Sequence, residues 1–205
     1  MLKDSITVTR NETYKGPSYI AIGALASFPG QLESVIHPTT YALEEGIVAV
    51  APTTEDGVTI KRSAEVGDGI AIDQKAYNLD EGEPDGWAME VSFTLLNTDV
   101  DYLRYVWGTG DPIAVSGSVV TQKKLPLDAP TSFTERELYI IQEDAKTGRM
   151  RVFAFRKAVP QPDSELNVQS SDGSGAPATF KCRADTTITA DHHGPFGFIF
   201  EEDAT

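Results

Sequence analysis

A chain of 205 residues, 40% hydrophobic and 23% charged, is long enough to enclose its own core and suits one globular domain with long loops. A formal net charge of −14 excludes a grip on nucleic acid by counterion release; an acidic wall suits DNA only as a passage it does not stick to. No apolar run reaches membrane-spanning length, Met1-Leu2-Lys3-Asp4 begins no signal peptide, and the single cysteine, Cys182, excludes an internal disulfide and fits a reducing compartment.

In chain order, residues 1–16 are polar around a short alternating piece, Ile6-Thr7-Val8-Thr9, which reads as an arm or edge strand ordered against a neighbour. Tyr19 to Leu25 is a predicted strand closed by Phe28-Pro29-Gly30, Gln31 to Glu45 is loop-like, Ile47 to Val50 is a short buried strand, and Pro52 to Gly57 is a turn. Val58 to Val66 then alternates over a long strand. Val58, Ile60, Ala64 and Val66 share one face with Arg62, while Thr59, Lys61, Ser63 and Glu65 make the other. The glycine- and acid-rich stretch 67–86 is a long loop carrying Ile70, Ile72, Tyr77 and Leu79, and apolar residues at such intervals predict that it docks on something.

Ala88 to Leu95 alternates again, with Met89, Val91, Phe93 and Leu95 on one side and Glu90, Ser92 and Thr94 on the other. The period changes at Asn97-Thr98, two good N-cap residues, and a helix over 98–107 follows. Val100, Leu103, Val106 and Trp107 form its packing face, and Gly108 stops it. Residues 109–134 read as an irregular insertion. Glu137 to Gln142 and Arg149 to Phe155 flank a hairpin turn, 159–175 is linker chemistry, and Ala178 to Ala190 and Phe196 to Glu201 finish as strands. The pattern is mainly β with one clear helix.

A search for chemistry yields little. His192-His193 is the best metal candidate, yet adjacent residues of extended chain point to opposite faces, so a turn before Gly194-Pro195 is the plainer account. Gly108-Thr109-Gly110 follows a helix rather than preceding one, the wrong way round for a phosphate cradle. With 31 acidic residues no carboxylate pair is specific, and no nucleophile elbow accompanies the serines. Tyr102, Tyr105 and Trp107 read as packing. The expectation is a protein that is not an enzyme and needs no cofactor.

Three runs in this order carry a resemblance: VTIKRSAEV, an acidic loop and WAMEVSFTLLNTDVDYLRYVWG; the hairpin RELYIIQEDAKTGRMRVFAFRKAVPQ; and ATFKCRADTTIT followed by FGFIFEED. Together they resemble the major tail tube protein of long-tailed bacteriophages, and of gene-transfer-agent particles with similar tails, over about residues 46 to 203. The resemblance implies a single domain over 1–205, a β-sandwich or barrel-like subunit flanked by one short helix. Six copies would close into a ring, and rings would stack into a tube that conducts DNA. Thr59, Lys61, Ser63, Glu65, Glu90, Ser92 and Thr94 would then line an acidic lumen. Ile70, Ile72, Tyr77 and Leu79 would touch the adjacent ring. Implied partners are further copies of the chain, a tape measure protein, tail tip or initiator and tail terminator proteins, and DNA in transit, without membrane insertion. The implied location is the virion tail, after synthesis in the bacterial cytoplasm. Two other classes stay open: a β-sandwich adhesion or carbohydrate-binding decoration module, and a small barrel enzyme of cupin type using His192 and His193.

Overall fold

The computed structural model describes residues 18–23, 28–37, 40–66, 84–96, 98–116, 121–127, 134–144, 147–161, 175–188 and 194–202, with the side chains of 64–66, 84–87 and 121 excepted. The elements are β1 (Tyr19–Gly23), β2 (Ile47–Val66), β3 (Pro84–Leu95), α1 (Val100–Trp107), β4 (Ile113–Ser116), β5 (Thr121–Lys124), β6 (Arg136–Glu143), β7 (Met150–Pro160), β8 (Ala176–Arg183) and β9 (Gly197–Glu201). The fold is mainly β with one α-helix among the described residues.

Seven strands form one antiparallel sheet in the order β6-β1-β2-β3-β8-β7-β9, and β6 also pairs with β7. That extra pairing closes β6, β1, β2, β3, β8 and β7 into a ring, which removes most of the free sheet edge. β7 serves three partners. One of its edges meets β6; the other meets β9 over Arg151–Phe155 and then β8 over Lys157–Pro160. Gly197 permits the handover at the start of β9, with φ at 142° and a built Cβ only 1.8 Å from the Ala154 carbonyl oxygen.

The ring encloses the main core. Ile20, Val91, Leu95, Leu138, Ile140 and Phe180 point inward from four strands and are at most 2% exposed. Phe93 stacks on Phe180 with centroids 5.7 Å apart. A second cluster covers the outside of β1, β6 and β7, where Val35 and Ile36 pack over Ala21, Tyr139, Ile141 and Val152. The stretch expected as a loop over 31–45 is therefore a covering layer, ordered by a 3-10 turn at Leu32–Ser34 and a bridge from Ile36 to Leu43.

Three other expectations are revised. The turn expected at 52–57 is part of one 20-residue strand, because the chain absorbs residues 54–57 as a bulge opposite Thr94, with Gly57 at φ 75°. The expected insertion over 109–134 contains the β4–β5 hairpin, which Lys123 ties to Asp101 of α1. The last long strand ends at Arg183 rather than Ala190, since Asp185 turns the chain by accepting from the Thr187 amide at 3.2 Å and its hydroxyl at 2.9 Å.

α1 belongs to the same core as the ring interior. Its N-cap is Asp99, which accepts from the Asp101 amide at 3.1 Å, rather than Asn97 or Thr98, and Gly108 closes it in the left-handed region at φ 64°. Leu103 and Val106 are buried as expected, whereas Val100 and Trp107 are only half-buried. Tyr105 is buried instead, its ring 5.2 Å from the guanidinium of Arg136 at the start of β6. The helix thus sits at the end of the barrel where β3 and β7 finish and β6 and β8 begin.

Candidate functional site

The long β2–β3 hairpin is the feature that departs from a simple closed barrel. β1 covers one edge of β2 only over Ile47–Pro52, and β8 covers β3 only over Met89–Leu95. Among the described residues β2 from Val58 to Val66 then pairs with β3 alone, and β3 from Pro84 to Ala88 pairs with β2 alone. Val58, Ile60 and Met89 still pack against the core, which anchors the base of the hairpin.

The alternation expected for this hairpin is present in the burial of its residues. Val91, Phe93 and Leu95 are buried, while Thr59, Lys61, Ser63 and Glu90 are exposed and Ser92 and Thr94 half-buried. Register then assembles these side chains into rows across three strands. Thr59 stands opposite Ser92, which stands opposite Thr179, and the Ser92 and Thr179 hydroxyls are 3.2 Å apart. Lys61 stands opposite Glu90, and Glu90 opposite Lys181. Asp56, Gly57, Thr59, Ser92, Thr94 and Thr179 line a shallow cleft of about 440 Å³ on this face.

The sequence reading missed β8 as the third strand of this face. Its signal was available, since Thr179, Lys181 and Arg183 alternate with Ala178, Phe180 and Cys182. What the sequence alone does not reveal is that β8, more than 80 residues away, lies beside β3 rather than elsewhere in the sheet.

β8 changes the electrostatics of the face. Cross-strand neighbours lie about 5 Å apart at Cβ, so Glu90 stands between two cations. The described strand positions therefore form a surface of hydroxyls and mixed charge, in which two lysines flank one carboxylate, not a uniformly acidic one. Glu65 pairs through its backbone with Gly86, and its side chain is outside the described set. Ile70, Ile72, Tyr77 and Leu79 lie outside the described residues altogether, as do His192 and His193.

Among the described residues no group of three His, Cys, Asp or Glu side chains could hold a metal ion, and no helix is long and apolar enough to cross a membrane. Cys182 is buried on the inward face of β8. Burial pushes its thiol up to about 12, which keeps it protonated and unreactive at neutral pH. No known family model matches the chain, and no curated protein matches it either.

Proposed function

We propose that this chain is a structural subunit that polymerises, as stacked six-membered rings, into the tail tube of a phage or phage-like particle. The observation that carries this reading is the β2–β3 hairpin, whose strands run past β1 and β8 with no further strand partner there among the described residues, with Val58, Ile60 and Met89 on the core and Thr59, Lys61 and Glu90 outward. Free edges on a long hairpin favour pairing with another chain, and a closed ring of copies satisfies all of them at once. The polar rows would then meet in the lumen.

On this reading the wall resists sticking by compensation as much as by repulsion. Hydroxyls at Thr59, Ser92, Thr94 and Thr179 offer water a hydrogen-bonding surface, and Glu90 between Lys61 and Lys181 cuts that row from two positive charges to one, which weakens any hold on phosphate. Converting Glu90 to lysine makes that row wholly cationic. In assembled particles, Glu90→Lys should leave tubes intact but slow DNA passage, more severely at low salt where charges are less screened. Unaltered delivery at every ionic strength would remove this face from the lumen. Ile70, Ile72, Tyr77 and Leu79 would supply contacts between rings. Deleting 70–80 should therefore leave folded monomers that fail to polymerise, whereas normal tubes would assign ring stacking to other residues.

A further inference from the structure

On the far side of the barrel, the outer face of β1 and β6 holds a second cleft, of about 280 Å³, beneath the turn at 35–44. Its floor is apolar, built from Ile36, Leu43 and Ile141. Two tyrosines flank it, Tyr19 at 49% and Tyr41 at 51% exposure, and Glu143 stands on its rim. The Glu143 Oε1 and the Tyr41 hydroxyl lie 3.9 and 4.0 Å from the position of a methyl group built on Gly148, so carboxylate and phenol border one small volume. No cation among the described residues pairs with Glu143.

Tyr41 is held there against its backbone preference. It is the one non-glycine residue with positive φ among those described, at 55°. The turn is closed by the Tyr41 amide donating to the His37 carbonyl at 2.8 Å, the His37 amide to Ala42 at 2.9 Å and the Glu44 amide to Val35 at 3.1 Å. Glycine or asparagine would fit this conformation with less strain, yet the position carries a large ring that is half exposed beside a cleft.

We propose that this cleft receives the side chain of a lysine or arginine on a protein segment that docks against the outer face of β1 and β6. The aliphatic stem would lie on Ile36, Leu43 and Ile141 between the two phenol rings, and the cationic head would reach Glu143. Tyrosine faces attract cations, and the stems of lysine and arginine cover apolar surface while their heads stay polar. Charge favours the same ligand, since the chain carries −14 overall and Glu143 brings an exposed carboxylate to the rim. This inference stands on the cleft and is independent of the tube reading.

The test titrates the full-length protein with N-acetyl-lysine methylamide, N-acetyl-arginine methylamide, the uncharged N-acetyl-norleucine methylamide and methyl glucoside, following the ring resonances of Tyr19 and Tyr41. Saturable shifts should come from both cationic probes, with affinity about tenfold or more above the norleucine probe and weakened by salt. Glu143→Gln should erase the preference for charge. Tyr41→Gly should abolish binding while raising the thermal midpoint, because it relaxes the left-handed backbone, which separates a ligand role from a folding role. Equal binding of the norleucine probe, ring shifts from the glucoside alone, no saturable shift from either cation, or a charge preference that survives Glu143→Gln would each overturn the proposal.

Discussion

Asp185 and Cys182 show how two single side chains tune stability in opposite directions with pH. The Asp185 carboxylate is held at about 2, first by the Thr187 hydroxyl, then by Lys157 at 3.1 Å and by the Thr187 amide. A depressed folded value means that the contribution is complete above the unfolded carboxyl range, near 3.9, and is lost as pH falls from there towards 2. Asp185→Asn should therefore flatten stability against pH in that acid window, and an unchanged acid limb in chemical denaturation would contradict it. Cys182 behaves in the opposite sense. Burial keeps the folded thiol protonated, so its contribution is complete below the unfolded value, near 8.5, and is lost as pH rises towards about 12. A thiol-reactive reagent at pH 8 should label Cys182 only when denaturant is added, whereas fast labelling of the native protein would expose β8 as mobile. At this scale the sequence was informative about phase. The period of two separated Thr59, Lys61, Ser63, Glu90, Ser92 and Thr94 from their buried neighbours, but it carried no information on which third strand would complete the rows.

At the scale of elements, α1 is the piece most dependent on burial. Eight residues are too few for a helix to persist alone, so its stability comes from the face it packs on the barrel. Leu103→Ala should cost about 2–4 kcal/mol in lost transfer and cavity terms, measured by denaturant unfolding. A change below about 1 kcal/mol on the same scale would place the helix on the surface. Helical spacing identified Leu103 and Val106 correctly and overrated Val100 and Trp107. Tyr105, read as packing but left out of that face, is buried, its ring flanked by Arg104 and Arg136 at 4.4 and 5.2 Å, the second of which arrives from a distant strand. β9 depends on one glycine in a comparable way. Gly197→Ala would drive a methyl into the Ala154 carbonyl at a backbone angle that side chains disfavour, so β9 should detach from the first half of β7. Rapid amide exchange confined to Phe198–Phe200 and their β7 partners would report that detachment, while unchanged protection would mean that the backbone shifts to accommodate the methyl.

At the scale of the whole molecule, the mainly-β character and most strand positions were legible, because alternation is a local signal. The closure was not. It depends on β1 lying between β2 and β6, and on β7 passing from β9 to β8, pairings between segments far apart in the chain that no local pattern specifies. The union of 47–50 and 58–66 into one strand was hidden for a related reason. Pro52 and Gly57 are ordinary turn residues, and only the pairing of Thr53 with Leu95 and of Val58 with Phe93 carries the strand across them. Among the described residues the barrel that results is nearly free of edges except along the β2–β3 hairpin and β9, and the tube proposal depends on what those edges meet. The most direct measurement is negative-stain imaging of concentrated full-length protein, with and without seeding by tail tips, alongside sedimentation. Six-fold rings or hollow tubes are the predicted result; compact monomer at every concentration, persisting after seeding, would contradict the proposal.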